Sequence, residues 1–133
     1  MVVDTSALIA IVYREPDHER LAEAIGQEST RLLSAASALE AAIVMARRAG
    51  PTGAKRALAV LDGVVQSLGL TIEPVTAPQA LMARDAYLRY GKGMSATGLN
   101  YGDCFSYALA KDSGEPLLFK GDDFARTDIP SCL

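Results

Sequence analysis

Short apolar segments alternate along the chain with longer segments that have the pattern of helices. The apolar segments are 1–3, 31–33, 71–75 and 117–119. The segments with a helical pattern are 4–12, 16–25, 34–49, 55–68, 78–90 and 101–112. Parallel strands need crossover connections of about a dozen residues or more, which are usually helices. The alternation therefore predicts an α/β sandwich, in which helices cover both faces of a mainly parallel central sheet.

Glycine and proline mark the ends of the predicted helices. Gly26 and Gly69 each follow one helix, Gly50-Pro51 separates two more, and residues 114–116 end the last one. Residues 91–98 contain three glycines and are predicted to form a mobile loop.

Length and composition predict one domain, residues 1–133, because half of the residues are apolar and can form one continuous core. The formal net charge is −3, from 13 Lys and Arg against 16 Asp and Glu, and no block of basic residues occurs. Composition alone therefore does not indicate nucleic-acid binding. If several acids bind a metal, the basic residues can still form a phosphate-binding rim. Candidates for that rim are Arg14, Arg47, Arg48 and Lys92.

The two cysteines, Cys104 and Cys132, are expected to be reduced, and Cys104 falls in an apolar helical segment. The first residues form a predicted strand and lack a basic leader region, so no signal peptide is predicted. The longest apolar segments are too short to span a bilayer. We therefore expect a soluble, cytoplasmic protein without a membrane partner.

Acidic residues stand at the edges of segments that ought to be buried. Asp4 ends the first strand, Glu40 and Asp103 interrupt or open apolar helices, and Asp122 and Asp123 follow the last strand. A buried carboxylate is costly unless it is paired or bound to a cation. Ligands of α/β folds bind beyond the carboxyl ends of parallel strands, where these acids would meet. The set predicts a site for a hard divalent metal and, with it, phosphodiester hydrolysis.

Each acid also has a purely structural interpretation. Asp4 is a good helix N-cap, and Asp103 with Asn100 resembles a capping box. Asp122 and Asp123 are common turn formers. Glu40 lies beside an apolar stripe and is otherwise a solvated helix-edge residue. That stripe consists of Leu39, Ile43 and Ala46.

Together the acids and their flanking segments resemble a known family. Residues 2–8 (VVDTSAL) look like the opening of PIN-domain ribonucleases, and residues 99–110 (LNYGDCFSYALA) resemble the helix that carries the third acid. Residues 117–124 (LLFKGDDF) are similar to the last strand and turn of the family, and the spacing of 37–40 also fits. The resemblance covers essentially the full length. Within the family, the chain looks most like the VapC-type toxins of bacterial toxin–antitoxin pairs.

The resemblance implies a PIN-like α/β/α sandwich and a metal-binding set. Asp4, Glu40 and Asp103 match the first three acids of the family. Many members place the fourth acid where this chain has Gly121, so Asp122 is a displaced fourth ligand and Asp123 its alternative. Ser6 and Asn100 match polar residues that support the site.

The resemblance also implies roles, a cofactor and partners. Asp4 and Asp103 would be direct ligands of Mg²⁺, for which Mn²⁺ can substitute, and Glu40 and Asp122 would act through water or at a second metal. The implied activity is a Mg²⁺-dependent endoribonuclease, the toxin of a type II pair, which cuts selected RNA. The implied partners are a cognate VapB-type antitoxin, whose tail lies in the active-site groove, and a second copy of the chain in a homodimer. The helices near residues 16–25 and 34–49 carry enough apolar residues for a partner groove.

Two alternatives remain open from the residues alone. The first is a non-catalytic PIN-like module that binds RNA or protein and has a vestigial metal site. The second is a carboxylate–metal phosphatase or a DNA nuclease. Other chemistries have little support: His18 is the only histidine, and no glycine-rich phosphate loop occurs. Cys104 is expected to be a core residue rather than a nucleophile.

Overall fold

Strands and helices alternate as predicted in a computed structural model that describes residues 1–133. The strands are β1 (Val2–Val3), β2 (Leu32–Ser34), β3 (Thr71–Glu73) and β4 (Leu117–Leu118). The helices are α1 (Thr5–Val12), α2 (His18–Gln27), α3 (Ala35–Ser67), α4 (Ala77–Tyr90) and α5 (Tyr101–Ser113). All strand pairs are parallel, and the sheet order is β3-β2-β1-β4. The predicted parallel sheet is confirmed.

Strand β1 lies inside the sheet and aligns the two ends of the chain. Val2 is in register with Leu32 of β2 and with Leu117 of β4. Just beyond the strand, the Asp4 N–H donates to the Leu118 carbonyl at 2.9 Å. Because β1, β2 and β4 are parallel neighbours, the residues that follow each of them meet at one edge of the sheet.

Alternate residues of the strands face two separate cores. Met1, Val3 and Leu118 belong to a cluster with α1, α2 and α3. Val2 and Leu117 belong to a second cluster with α4 and α5. Side chains of a strand point alternately to opposite faces, so strands buried on both faces are apolar throughout. The predicted α/β/α sandwich is confirmed.

Of the helix ends predicted at Gly26 and at Gly50-Pro51, the first is wrong and the second is confirmed. Gly26 does not end its helix, because α2 continues to Gln27 and extended backbone begins at Glu28. The break predicted at Gly50-Pro51 is confirmed as a kink inside α3, where Gly50 has φ 72° and ψ 173°. That backbone region is readily open only to glycine, and Pro51 begins the second half because its fixed φ suits a first helical turn.

The apolar stripe of α3 does not face the core. Leu39 and Ile43 are 62% and 48% exposed, whereas Ser37, Ala41 and Met45 are buried. Small residues allow α3 to approach α5 closely, and there the Ser37 and Ser106 hydroxyls are hydrogen-bonded at 3.0 Å. Leu39 and Ile43 therefore form a surface strip. The apolar stripe beside Glu40 is thus not part of the core, and it gives no reason to expect that Glu40 is buried.

Both cysteines are free, as predicted, and Cys104 is buried. No helix combines the length and apolar character that crossing a membrane requires.

We predict that the core behind β1 dominates stability. Leu8 is fully buried in the cluster of α1, α2 and α3, and Leu8→Ala should lower the free energy of unfolding by about 3 kcal/mol through lost burial and a cavity. The matched control is Leu81→Ala, because Leu81 is 54% exposed on α4, and it should cost about 0.5 kcal/mol or less. Urea denaturation measures both, and equal losses would contradict the assigned core.

Candidate active site

Asp4 stands immediately after β1 and has one of its carboxylate oxygens engaged in capping a helix. Its Oδ2 accepts hydrogen bonds from the Ser6 N–H at 2.8 Å and from the Ser6 hydroxyl at 2.6 Å. Its Oδ1 is buried and has no hydrogen-bond partner. The capping interpretation is therefore correct for one oxygen and leaves the other free. A buried carboxylate oxygen without a donor is costly, and a bound cation would offset that cost.

Glu40 reaches the same edge from the second turn of α3. Its Oε2 accepts a 2.8 Å hydrogen bond from the hydroxyl of Thr5, the residue after Asp4. Its carboxylate also lies against Gly102, so closely that a methyl group at position 102 would overlap both of its oxygens. Gly102 is in the first turn of α5, where the helix dipole favours a negative charge. Thr5 and Gly102 together fix the position of this carboxylate.

Asp103 is buried at the start of α5 and forms the predicted capping box. The Asn100 N–H donates to Asp103 Oδ2 at 2.8 Å, and the Asp103 N–H donates to Asn100 Oδ1 at 2.9 Å. Burial raises the pKa of Asp103 to about 7, against the lowering effect of the Asn100 N–H, and the charges of nearby acids raise it further. Those acids are Asp4, Asp123 and Glu40. The structure thus brings the first three predicted acids together.

The turn after β4 supplies the remaining acids. Asp123 is one of the charges that raise the pKa of Asp103, whereas Asp122 is not. Both acids line an open polar cavity of about 380 Å³, together with Thr97 and Arg126. Of the two acids, Asp123 is therefore the one whose charge acts on Asp103. The assignment of Asp4, Glu40, Asp103 and Asp122 as the site stays a prediction.

The carboxylate ligands of the predicted site suit a hard divalent cation, although they do not form a complete coordination sphere. No three side chains among Asp, Glu, His and Cys already stand together as a complete metal-binding cluster. The buried Oδ1 of Asp4 nevertheless has no hydrogen-bond partner, and burial together with the neighbouring acids raises the pKa of Asp103. A bound cation would offset both effects. Mg²⁺ keeps several of its waters and needs only one or two direct carboxylates, so Asp4 and Asp103 suffice as direct ligands.

Sequence reasoning missed two residues that build the site. Thr5 is not among the predicted site residues, yet its hydroxyl donates a hydrogen bond to Glu40. Gly102 could not be recognised as a site residue from the sequence, where it is a single glycine near the start of a helix. Its role depends on contact with the carboxylate of Glu40, which is 62 positions away in the chain.

His18 and Cys104, which were not predicted to act in catalysis, have structural contacts. The His18 ring donates from Nδ1 to the Glu15 carbonyl at 2.8 Å at the start of α2. Burial, together with the charge of Asp103, raises the pKa of Cys104 to about 11, so its thiol stays protonated and a poor nucleophile at neutral pH.

We predict that Gly102→Ala displaces Glu40 without unfolding the protein, because the overlapping atoms are the end of a flexible side chain. Alanine favours a helix over glycine by about 1 kcal/mol, so stability should hold or rise. RNA cleavage, if Glu40 acts in it, should fall by about 10-fold or more. The matched control is Gly63→Ala in α3, where a methyl group meets open space. Equal cleavage by the two variants would contradict a role for this contact.

We predict that the metal-free protein loses stability as pH rises from about 4 to about 7. In this window folded Asp103, with a pKa of about 7, retains a proton that the unfolded chain has released. Asp103→Asn keeps an oxygen for the Asn100 N–H and should flatten this dependence. Urea denaturation in EDTA at about pH 5 and about pH 7.5 measures the effect. The control is Asp62→Asn, which removes an exposed acid of α3. A pH dependence unchanged by Asp103→Asn would contradict the raised pKa.

Known proteins of similar sequence cover nearly the whole chain. The sequence profile of the PIN domain family matches residues 1–130. Ribonuclease VapC of Mycolicibacterium smegmatis is 52% identical over 129 residues, which cover 97% of each protein. Ribonuclease VapC30 of Mycobacterium tuberculosis is 51% identical over 129 residues, which cover 97% of this chain and 95% of that protein.

A solved structure shares the fold at much lower sequence identity. The crystal structure of Mycobacterium tuberculosis VapC20, a sarcin-ricin loop cleaving toxin, superposes with a TM-score of 0.72 at 20% identity. The match covers 96% of this chain and 95% of VapC20. At this identity the likeness supports the fold alone. The family profile and the relatives that are half identical show that the chain belongs to the PIN domain family, among its VapC ribonucleases.

Proposed function

We propose that this chain is a divalent-metal-dependent endoribonuclease and the toxin of a VapBC toxin–antitoxin pair. Membership of the VapC ribonucleases supports the activity on RNA. The observation that carries the mechanism is the Asp4 carboxylate, which is buried with Oδ1 unpartnered and lies close enough to Asp103 for its charge to raise that residue's pKa. A phosphodiester has charge that a cation at this position would neutralise.

The cofactor is proposed to be Mg²⁺, with Mn²⁺ as a substitute, because every candidate ligand is a carboxylate. Asp4 and Asp103 would hold it directly, and Glu40 and Asp122 or Asp123 would contact its waters. When bound, the cation would activate a water molecule and neutralise charge at the scissile phosphate.

Two of the chain's own carboxylates have separate proposed roles. Glu40, which accepts a hydrogen bond from the Thr5 hydroxyl at 2.8 Å, would accept a hydrogen bond from the attacking water and take up its proton. Asp103 must be ionised to act as a ligand, and its pKa of about 7 means that protons compete with the metal below neutral pH. Cleavage should therefore decline as the medium becomes acidic.

Two exposed apolar surfaces support the proposed partners. Leu39 and Ile43 lie on α3 on either side of Glu40, where an antitoxin segment bound along the strip would also reach the acids. A groove of about 710 Å³ between α4 and α5 is mostly apolar, and Tyr101 at its rim is 79% exposed. We assign the strip to the antitoxin and the groove to a second copy of the chain. Water-exposed apolar surfaces of this kind usually mark interaction sites.

The cellular location and the number of domains are also proposed. We propose that the protein acts in the cytoplasm, where RNA and an antitoxin are accessible, and that residues 1–133 act as a single PIN domain. The family profile over residues 1–130 supports the second statement.

One observation favours the alternative of a non-catalytic binding module with a vestigial metal site. The acids do not form a ready-made cluster of three ligands, and the fourth acid is displaced from Gly121 to the exposed pair Asp122 and Asp123. Cleavage assays distinguish the two functions.

We predict that the antitoxin-free protein cuts total bacterial RNA into discrete fragments with Mg²⁺ or Mn²⁺ and that EDTA abolishes the fragments. Asp4→Asn and Asp103→Asn should each reduce cleavage by about 100-fold or more, because each removes a direct ligand. Asp62→Asn, which alters an exposed acid outside the site, should cleave like the wild type.

Absence of cleavage by folded wild-type protein with metal would favour the binding module. Digestion of DNA in preference to RNA would favour the rival nuclease.

A further inference from the structure

The turn that carries Asp122 and Asp123 is joined to the first acid through the backbone of Lys120. The Lys120 N–H donates to the Ser6 hydroxyl oxygen at 3.0 Å. The same hydroxyl donates to Asp4 Oδ2 at 2.6 Å. One hydroxyl group therefore connects the backbone of Lys120 to the carboxylate of Asp4, although the two residues are 116 positions apart.

The side chain of Lys120 makes a second attachment beyond the C-terminal end of α1. Its ammonium group donates to Glu15 Oε2 at 2.5 Å and to Asp17 Oδ1 at 2.8 Å. Both acids lie in the connection between α1 and α2, whereas Ser6 lies in the first turn of α1. Lys120 thus contacts residues at both ends of this short helix, which also contributes its first turn to the site.

The chain changes direction immediately after this attachment. Gly121 has φ 97°, a conformation that favours glycine, and the next two residues are Asp122 and Asp123. An anchor directly before such a bend determines where the following side chains lie. Because Glu15 and Asp17 engage the ammonium group, Lys120 is also kept from pairing with Asp122 or Asp123, which stay free for a cation.

The charges of the cluster reinforce each other. The hydrogen bonds that Lys120 donates, first to Asp17 and then to Glu15, raise the pKa of Lys120. The hydrogen bond from Lys120 lowers the pKa of Asp17. All three side chains are about one-third exposed, so the attachment is moderate in strength and sensitive to salt.

We propose that Lys120 is a positioning residue, which fixes the acid-bearing turn of residues 121–123 relative to Asp4 through its bonds to Ser6, Glu15 and Asp17. This inference rests on the proposed function only for its effect on metal binding, since the attachment itself is a property of the metal-free protein.

The test compares Lys120→Met, which keeps the backbone bond and the aliphatic length but removes the ion pairs, with Lys120→Arg, which keeps the charge. The double variant Glu15→Gln/Asp17→Asn removes the same pairs from the other side. The control is Lys111→Met, since Lys111 also pairs with an acid, Asp128 at 2.9 Å, but in the last turn of α5.

Two readouts are needed. Hydrogen–deuterium exchange of the segment around residues 119–124 is measured without metal, and Mn²⁺ affinity is measured by calorimetric titration. Lys120→Met and the double variant should exchange faster there and bind Mn²⁺ about 3- to 10-fold more weakly, the range expected for two partly exposed ion pairs. Lys120→Arg should recover most of both values, and Lys111→Met should match the wild type.

Wild-type exchange in Lys120→Met and in the double variant would overturn the proposal. So would faster exchange with unchanged Mn²⁺ affinity, because the turn would then move without affecting the site. Should the wild type itself bind no Mn²⁺, the proposed function fails, and exchange in the metal-free protein alone then decides whether Lys120 holds the turn.

Discussion

The buried carboxylate of Asp4 is the interaction on which the site depends. It follows the inner strand β1, so its position is set by the sheet rather than by a flexible loop. Its Oδ2 is fully used by Ser6, which leaves Oδ1 without a partner in a buried position. A protein tolerates such an oxygen when a ligand offsets its desolvation. Both the local helix cap and the proposed metal site therefore use the same side chain.

The surrounding residues hold like charges close together instead of neutralising them. Thr5 orients Glu40, Asn100 orients Asp103, and the only hydrogen bonds they provide are from neutral donors. No Lys or Arg side chain forms an ion pair with Asp4, Glu40 or Asp103, whereas Lys120 is engaged by Glu15 and Asp17. Burial first, and these like charges in addition, raise the pKa of Asp103. A divalent cation would attract these carboxylates and so offset their mutual repulsion. Because Asp103 must lose its proton to bind the cation, metal binding would be coupled to the ionisation of Asp103.

Much of this arrangement could be predicted from the sequence because it depends on local patterns. Asp4 follows a strand, and Asn100 with Asp103 forms a capping box, so both were placed correctly by their neighbours alone. The features that could not be predicted from the sequence depend on tertiary contacts. Leu39 and Ile43 have core-like spacing but face outward, because Ser37 and Ala41 pack more closely against the rest of the fold. Likewise, the contacts of Gly102 and Lys120 join segments far apart in the chain and leave no local signal.

The most direct test of the central claim is a crystal structure with Mn²⁺ bound, with the ion located by its anomalous scattering. We predict a peak within coordinating distance, about 2.2 Å, of Asp4 Oδ1 and of a carboxylate oxygen of Asp103, and loss of that peak in Asp4→Asn. A peak absent from this edge of the sheet at saturating Mn²⁺, or present there unchanged in Asp4→Asn, would contradict the assignment of Asp4 as the residue around which the site is built.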